Sequence, residues 1–348
     1  MSNPFSNDAP MNLNLVVDMN GCPNRCKHCW LGHMPNKKMS DEDALFIVDK
    51  FKDYFNQITF YSWLREPDYC SDYERRWQKD IDLSTGTKPQ RFELASFYRL
   101  VRDPNYVKFL KKVGVKEVQL TFFGLKEYTD SFVGRQGAFK ELLQATEILL
   151  ENGMTPRWQA FINEENKQSI VELLHLIDQL KLKERCKDFN FFVHEGSCDG
   201  ENRKLYGIRI QKRHISEELI PYYLDFNERL SESECYRHLI DSTDHFVPHN
   251  DKDITLNISA EFDVYFNFTE MSPVWKIGNL KKDDMKEIVR KILEEDIAPL
   301  REARRIPVSE LVKRYGDSSS DKVFTLEDYQ FYLLNTHLEH KFRNSKNV

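Results

Sequence analysis

The sequence contains no long apolar run. No stretch of its 348 residues approaches the roughly 20 apolar residues that a membrane-spanning helix needs. The first residues, MSNPFSNDAP, also lack the basic and apolar regions of a secretory signal peptide. Both absences favour a cytoplasmic protein without a membrane partner.

An excess of positive charge is also absent. Lysine and arginine number 50 against 56 aspartates and glutamates, which gives a net charge of −6. Nucleic acid is therefore not expected as a partner, because proteins that bind it carry basic surfaces. The composition, 40% hydrophobic and 30% charged, is that of an ordinary globular protein.

Cysteine is scarce and unevenly placed. The chain has seven cysteines, and cytoplasmic thiols stay reduced, so a disulfide framework is not expected. Three of them, Cys22, Cys26 and Cys29, form a C-x3-C-x2-C pattern soon after residues 13–17, an apolar segment typical of a buried strand. Thiolates grouped in this way suit zinc or an iron–sulfur cluster.

The number of ligands separates these two kinds of metal site. Zinc needs a fourth ligand, for which His28 or His33 is available. A cubane cluster has four irons, so three cysteines leave one iron open to a substrate or cofactor. A loop after a first strand is also where an α/β barrel places its chemistry. We favour the cluster, and a non-enzymatic zinc-binding protein is the alternative from another functional class.

Strand and helix patterns alternate over the first two thirds of the chain. Apolar segments predict strands at residues 13–17, 57–61, 92–96, 118–122, 157–162 and 189–193. Helical patterns separate them, the first opened by a capping box at Ser40. The alternation predicts a parallel sheet, open or curved into a barrel of about six strand–helix units, fewer than the eight of a complete barrel.

The last third breaks this pattern. We expect helices over residues 211–240, a hairpin over 254–268, one long helix over 283–304 and a final helix over 326–340. The predicted domains are a partial barrel at residues 1–205, a helical linker at 206–250 and a C-terminal cap at 251–348.

The cysteine loop after a first predicted strand resembles the radical S-adenosylmethionine (radical SAM) superfamily. The resemblance implies an α/β fold, a partial (β/α)6 TIM-like barrel with a C-terminal α+β cap. It also implies that Cys22, Cys26 and Cys29 hold a [4Fe–4S] cluster whose fourth iron binds the amino and carboxylate groups of SAM. An electron from a flavodoxin- or ferredoxin-type donor then splits SAM into methionine and a 5′-deoxyadenosyl radical, which removes a hydrogen atom from the substrate.

The resemblance extends to residues that would bind SAM. His28 stands where the family usually has an aromatic residue near the adenine. Glu66 lies in Leu64-Arg65-Glu66-Pro67, in the place of the family's Gly-Gly-Glu-Pro, and would face the SAM amino group. Both glycines are missing here, and a surface Arg–Glu pair is the alternative.

Four further residues complete the predicted SAM site. Ser96 ends a predicted strand, where family members often have a polar residue near the SAM carboxylate or ribose, and Thr121 ends the next one in a segment that resembles the family's strand-Ser-x-x-Gly pattern. Arg135, ahead of a helix, would clamp the carboxylate through two parallel hydrogen bonds, and Gln159 would contact the ribose. The alternatives are ordinary strand-end hydrogen bonds for Ser96 and Thr121 and a salt bridge for Arg135.

Substrate contacts are expected in the polar loop at residues 194–200. Cys198 in this loop is the candidate catalytic residue, because a weak S–H bond can return a hydrogen atom to a substrate radical. An incidental loop cysteine is the alternative. Two substrate classes remain open: a peptide, as in natural-product maturation, and a small polar metabolite such as a sugar or nucleoside.

Residues 253–284 weakly resemble the SPASM or twitch extension of radical SAM enzymes that modify peptides, which favours a peptide substrate. Only a dozen residues precede the first predicted strand, so the common leader-binding domain is not expected. Asn267 stands where such extensions have a cluster cysteine, and no cysteine follows Cys235. An auxiliary cluster would lack its ligands, so redox-neutral chemistry is favoured.

Overall fold

A computed structural model describes residues 12–32, 34–91, 93–245, 253–266, 271 and 273–343. The strands in these segments are β1 (Asn12–Val17), β2 (Gln57–Tyr61), β3 (Glu117–Phe122), β4 (Thr155–Phe161), β5 (Asn190–His194), β6 (Leu230–Ser231), β7 (Asp253–Ile258), β8 (Asp263–Phe266), β9 (Lys276–Asn279) and β10 (Val323–Phe324). The α-helices are α1 (Asp41–Phe51), α2 (Tyr73–Leu83), α3 (Phe97–Leu100), α4 (Tyr106–Lys112), α5 (Lys126–Val133), α6 (Ala138–Glu151), α7 (Lys167–Gln179), α8 (Leu182–Arg185), α9 (Glu232–Leu239), α10 (Met285–Leu293), α11 (Ala298–Ala303), α12 (Val308–Tyr315) and α13 (Leu326–Arg343). Short 3-10 helices occur at Gly200–Ile208, Lys212–His214, Glu217–Tyr222 and Phe226–Glu228.

The chain forms two compact units, each built from separated segments. The first unit takes the described parts of residues 1–22, 34–90 and 247–305, and the second takes those of residues 23–33, 91–246 and 306–348. The cysteine motif therefore begins in the first unit and continues in the second. The domain boundaries proposed from the sequence, after residues 205 and 250, remain a prediction.

A five-stranded sheet in the order β2-β1-β7-β8-β9 forms the first unit. β1 is parallel to both of its neighbours, whereas β7, β8 and β9 pair in antiparallel fashion. Leu13, Leu15 and Val17, alternate residues of β1, are fully buried, as the two-residue period of a strand requires. The β7–β8 pair confirms the predicted hairpin, whose residues 267 and 268 lie outside the described segments.

A parallel sheet in the order β3-β4-β5 forms the centre of the second unit. Its core includes Trp158 of β4, whose ring centroid lies 4.2 Å from that of Phe122 in β3. Because parallel strands end at a common edge, the loops that follow β3, β4 and β5 open on the same side of this sheet. Several candidate residues of the second unit lie at this edge.

The start of α1 follows from local hydrogen bonding. The Ser40 hydroxyl accepts from the Asp43 N–H at 3.1 Å, and the Asp43 carboxylate accepts from the Ser40 N–H at 2.9 Å. This reciprocal pair is the predicted capping box, which satisfies amide groups that the first helical turn leaves open. Ile47, Val48 and Phe51 then bury one face of the helix.

One predicted strand, over residues 92–96, does not form. Residues 93–96 contain no strand, and Phe92 lies outside the described segments. Ser96 is instead the N-cap of α3, where its hydroxyl accepts from the Arg99 N–H at 3.2 Å. A serine that binds nearby backbone in this way competes with strand pairing. Five of the six predicted strands are therefore present, and β7 adds another parallel neighbour for β1.

The predicted long helix over residues 283–304 is in fact two helices, α10 and α11. The chain adopts a left-handed conformation at Glu295, with φ +49°, which ends α10. Pro299 then lies in the first turn of α11, where a proline ring is tolerated. Residues 211–240 contain the predicted helices, as three short 3-10 helices followed by α9. The final predicted helix is confirmed as α13.

Candidate functional site

The end of α5 holds the backbone of the cysteine loop. The Arg25 N–H donates to the Val133 carbonyl at 3.0 Å, and the Lys27 N–H donates to the Phe132 carbonyl at 2.7 Å. These two residues flank Cys26, so both sides of the middle cysteine are fixed by backbone hydrogen bonds.

Gly134 makes this close approach possible. Its backbone has φ +68°, and a β-carbon there would lie 2.5 Å from the Arg25 carbonyl oxygen. Glycine has no β-carbon and adopts positive φ without strain. Any other residue would push the cysteine loop away from α5.

We expect Gly134→Ala to lower both stability and the iron content after cluster reconstitution. The left-handed backbone alone costs a non-glycine residue roughly 1–2 kcal/mol, and the displaced loop would hold the cluster poorly. Thermal unfolding and iron per chain are the measurements. Gly153→Ala is the matched control, because Gly153 also has a positive φ, +66°, but its β-carbon would meet nothing within 4 Å. Equal iron content in the two variants would contradict the role of Gly134.

Asn36 holds the first cysteine within the first unit. Its Oδ1 accepts from the Cys22 N–H at 3.0 Å, and its Nδ2 donates to the Cys22 carbonyl at 2.9 Å. Gly21 has φ +78°, and a side chain there would clash with Asn36. Asn36 and Gly21 therefore set the backbone position of Cys22.

The His28 ring lies among phenylalanine side chains. Its centroid is 4.7 Å from that of Phe123 and 4.8 Å from that of Phe161. Burial, together with the nearby His194, lowers the pKa of His28 to about 4, so the ring is neutral at pH 7. Among the described residues, nothing forms a hydrogen bond with its buried Nδ1. The neutral, packed ring is compatible with the predicted contact to adenine, which remains a prediction.

Thr121, Gln159 and His194 form a polar row across β3, β4 and β5. The Thr121 hydroxyl lies 3.3 Å from the side-chain amide of Gln159, which in turn contacts His194 Nε2. The sheet thus brings two residues of the predicted SAM site together and adds His194, the first residue of the predicted substrate loop, to which the sequence analysis gave no individual role.

The protonation state of His194 determines which groups in this row donate hydrogen bonds and which accept them. The Gly196 N–H donates to His194 Nδ1 at 3.2 Å, and burial lowers the pKa of His194 to about 4. The neutral ring therefore carries its proton on Nε2. An amide N–H cannot donate to a protonated ring nitrogen, so the Gln159 amide oxygen accepts from His194. The other end of the Gln159 amide then faces both the Thr121 hydroxyl and the side-chain amide of Gln119.

Arg135 connects the cysteine loop to α6. Its Nε donates to Asn24 Oδ1 at 2.9 Å, and its Nη2 lies 2.8 Å from Glu141 Oε2. The guanidinium also lies over the Phe97 and Tyr98 rings, 5.3 and 5.5 Å from their centroids. These contacts support the salt-bridge alternative and give Arg135 a role in holding the loop.

Glu66 lies in the turn after β2 and is half-buried. Its neighbour Arg65 is not a surface residue, because its guanidinium lies 2.7 Å from Asp18 Oδ2 and the two side chains are only 7% and 5% exposed. The alternative of a surface Arg–Glu pair therefore does not hold for Arg65. Ser96, the helix cap described above, is fully buried. The SAM contacts of Glu66 and Ser96 remain predictions.

Cys198 is buried in the loop that follows β5. Burial raises the pKa of its thiol to about 11, so the thiol stays protonated at pH 7. Burial also raises the pKa of Asp328, a charged neighbour, to about 6. The buried thiol retains the S–H bond that a hydrogen donor needs, and the catalytic role remains a prediction.

Glu195 is the centre of a buried ionic network, here called the Glu195 network. Its carboxylate accepts from the Tyr223 hydroxyl at 2.9 Å, lies 3.0 Å from Arg229 Nε and lies 3.6 Å from Arg209 Nη2. Burial and the Glu195 carboxylate raise the pKa of Tyr223 well above its usual value. Glu195, which the sequence analysis placed in a substrate loop, thus has partners within the protein.

Sequence reasoning missed Asp18, Asn36 and Arg209, and it placed His194 in the substrate loop without an individual role. Asp18 directly follows β1 and His194 ends β5, so their positions at strand ends were an available signal. Asn36 and Arg209 lie in irregular segments, where no local pattern marks a long-range partner.

The donor set of the cysteine motif fits a [4Fe–4S] cluster. No disulfide joins any of the seven cysteines, all of which lie in described segments, and thiolates are the ligands that such clusters use. No group of three or more His, Cys, Asp or Glu side chains in those segments is arranged to hold one metal ion. His33, a possible zinc ligand, lies outside the described segments.

Comparison with known proteins identifies the domain that carries this motif. Residues 16–177 match the family described as the Radical SAM superfamily. The chain carries a radical SAM domain. Radical SAM enzymes use a [4Fe–4S] cluster with S-adenosylmethionine and need an electron donor. The predicted enzyme class and both predicted cofactors are those of the family that residues 16–177 match.

A curated relative and two solved structures resemble the chain. Fe-coproporphyrin III synthase of Methanosarcina barkeri (strain Fusaro / DSM 804) is 24% identical over 178 residues, which are 50% of this chain and 42% of that protein. The chain thus matches less than half the length of this relative. Native anSMEcpe with bound AdoMet has a TM-score of 0.51 at 14% identity, covering 97% of this chain and 100% of that one. The same protein with AdoMet and the Kp18Cys peptide gives 0.51 at 13% identity and the same coverage.

The structural likeness confirms the predicted fold class, a mixed α/β radical SAM fold with a partial barrel. Along the described segments, no helix has both the length and the apolar character needed to cross a membrane. The individual site residues remain predictions.

Proposed function

We propose that this protein cleaves S-adenosylmethionine reductively and uses the resulting radical to modify a substrate. Cys22, Cys26 and Cys29 would hold a [4Fe–4S] cluster, which when bound supplies the electron that yields the 5′-deoxyadenosyl radical. The observation that carries the proposal is the three-thiol set, in a loop after β1 whose backbone is anchored beside Cys22 and Cys26. Three thiols leave one iron for SAM.

The chain's own residues would orient SAM and protect the reaction. Glu66 would accept from the SAM amino group. The Thr121 hydroxyl, which lies beside the Gln159 amide, would contact the ribose or carboxylate. The His28 ring, packed among phenylalanine rings, would exclude water beside the adenine. Ser96 would contribute a hydroxyl near the same ligand.

Cys198 is the proposed hydrogen donor. Its protonated, buried thiol could pass a hydrogen atom to a substrate radical, and the sulfur radical left behind would take an electron from the external donor and a proton from solvent. No cysteine follows Cys235, so ligands for an auxiliary cluster are lacking in the C-terminal region. This favours chemistry in which the substrate is not oxidised overall.

A peptide is the proposed substrate. The β7–β8 hairpin followed by β9 and α10 has the element order of a SPASM or twitch extension. The fold is also shared, over 97% of this chain, with a protein whose structure contains the Kp18Cys peptide. A small polar metabolite is the alternative, and the name of the curated relative adds a tetrapyrrole to the classes to be tested.

The experiment uses anaerobically purified, iron- and sulfide-reconstituted protein with SAM and dithionite. We expect a brown protein that releases 5′-deoxyadenosine and methionine in equal amounts, measured by mass spectrometry. Deuterated peptides encoded by neighbouring genes, deuterated nucleosides and deuterated coproporphyrin are then compared as sources of label in 5′-deoxyadenosine. A colourless protein with one zinc per chain would overturn the proposal. If 5′-deoxyadenosine gained deuterium from a nucleoside or from coproporphyrin but from no peptide, only the assignment of a peptide substrate would be overturned.

A further inference from the structure

Arg65 occupies a position where the radical SAM family usually has glycine. The segment Leu64-Arg65-Glu66-Pro67 keeps the acid and the proline but replaces both glycines. We infer that Asp18 and Arg65 are positioning residues for Cys22, acting through residues 34–36. The inference rests on the proposed role of Cys22 as a cluster ligand.

The first step is a buried ion pair at the ends of two adjacent parallel strands. Asp18 directly follows β1, and Arg65 lies in the turn after β2. Arg65 Nη2 and Nε donate to the same Asp18 oxygen, Oδ2, at 2.7 and 3.1 Å. With both side chains more than nine-tenths buried, the orientation of the guanidinium is fixed on this side.

In the second step, the opposite side of the Arg65 guanidinium contacts the backbone that follows the cysteine motif. Arg65 Nη1 donates to the Met34 carbonyl at 2.9 Å, and Nη2 lies 3.5 Å from the Pro35 carbonyl. The planar guanidinium thus joins Asp18 to the backbone that follows the cysteine motif. Lysine could not make this set of contacts, because its ammonium is a single point on a flexible stem.

The third step is the contact with the cysteine itself. Asn36, adjacent to Pro35, exchanges two hydrogen bonds with the backbone of Cys22, at 3.0 and 2.9 Å. The path from Asp18 to Cys22 therefore runs through three consecutive sets of hydrogen bonds within the first unit. Residues that orient metal ligands in this way typically change metal affinity about 10–100-fold when they are mutated.

The test compares Arg65→Lys and Asn36→Ala with the wild-type protein after anaerobic reconstitution. Iron per chain, the rate of cluster bleaching by a chelator, and the EPR spectrum of the reduced cluster with and without SAM are measured. We expect each variant to lose its cluster about tenfold faster or more, with an altered EPR spectrum. The double variant should lose it no faster than the worse single variant, because both substitutions act on one path.

Ile288→Ala is the control for a general loss of stability. Ile288 is a buried residue of α10 in the first unit, so this variant should unfold at lower temperature with an unchanged bleaching rate and EPR spectrum. If Arg65→Lys does not fold, Asp18→Asn decides in its place, because asparagine keeps the size of the side chain but removes the charge that orients the Arg65 guanidinium.

Failure of the inference and failure of the proposed function give different results. If Cys22→Ser abolishes the cluster but Arg65→Lys and Asn36→Ala match the wild type in bleaching and EPR, the positioning role is overturned and the ligand role stands. If Cys22→Ser keeps a normal cluster, the ligand assignment itself is wrong.

Discussion

Cys26→Ser is expected to remove the iron–sulfur cluster and, with it, all detectable 5′-deoxyadenosine formation. Serine preserves the size of the side chain but replaces a soft thiolate by a hydroxyl, which is a poor ligand for such clusters. Cys26 is also the cysteine whose two neighbours are bound to α5, so no other thiol can take its place without releasing the loop. Iron per chain, visible absorbance and mass spectrometry of SAM products are the measurements.

Cys186→Ser is the matched control for this substitution. Cys186 is a half-buried cysteine at the end of α8, and its sulfur lies 3.9 Å from Thr155 Oγ1. It has no part in the proposed site, so its replacement should leave iron content and SAM cleavage unchanged. A Cys26→Ser protein that retained iron and produced 5′-deoxyadenosine would contradict the ligand assignment. Loss of activity in both variants would point to general thiol sensitivity instead.

The parts of this site that could be predicted from the sequence are those whose pattern lies within a few neighbouring residues. The three cysteines lie within one short segment, and their spacing carries its meaning without reference to the rest of the chain. The strand before them and the capping box after them depend on neighbouring residues as well. The capping box needs only residues three positions apart, and the apolar pattern of β1 is recognisable within a few residues, although its pairing partners β2 and β7 are distant in sequence.

The failed strand at residues 92–96 shows the limit of such patterns. Its apolar alternation is compatible with a strand, but the Ser96 hydroxyl binds the backbone three residues ahead and starts a helix instead. The Tyr106 hydroxyl also accepts from the Ser96 N–H at 3.1 Å. A residue ten positions away thus takes part in fixing the conformation, and no short window of sequence contains that information.

The support around the cysteines was unpredictable for the same reason. Asp18 and Arg65 are 47 residues apart in sequence, and Arg135 and Asn24 are 111 apart. Each of these residues, taken alone, is an ordinary charged or polar residue. Only the pairing of β1 with β2, and the approach of α5 to the loop, bring the partners together. The sequence showed that the glycines before Glu66 are replaced, but it did not show that Arg65 binds Asp18 and the Met34 carbonyl.

Glu195→Gln is expected to destabilise the protein by about 3–5 kcal/mol, the usual effect of removing one member of a buried ion pair. The side chains of Glu195, Arg209 and Arg229 are 1%, 3% and 9% exposed. Glutamine keeps the size and one oxygen acceptor but removes the negative charge that faces both arginines. Two buried guanidinium groups would then lack their nearest carboxylate. Urea-induced unfolding, followed by circular dichroism, measures the free energy of unfolding.

Two further variants separate the buried charge from other effects of the substitution. Glu310→Gln makes the same chemical change in an ion pair with Arg314 at 2.8 Å, whose side chains are 43% and 50% exposed, and should leave the free energy of unfolding nearly unchanged, because solvent screens exposed ion pairs. Arg229→Met added to Glu195→Gln removes one uncompensated charge, so part of the lost stability should return. If Glu195→Gln cost no more than Glu310→Gln, Glu195 would not be compensating buried charge, and the loop after β5 would have to be held by its other contacts.

The Glu195→Gln substitution should also make the Cys198 thiol more accessible, because the loop that it destabilises carries both residues. Increased reactivity of that thiol toward an alkylating reagent in Glu195→Gln would show that the ionic network keeps the proposed hydrogen donor buried.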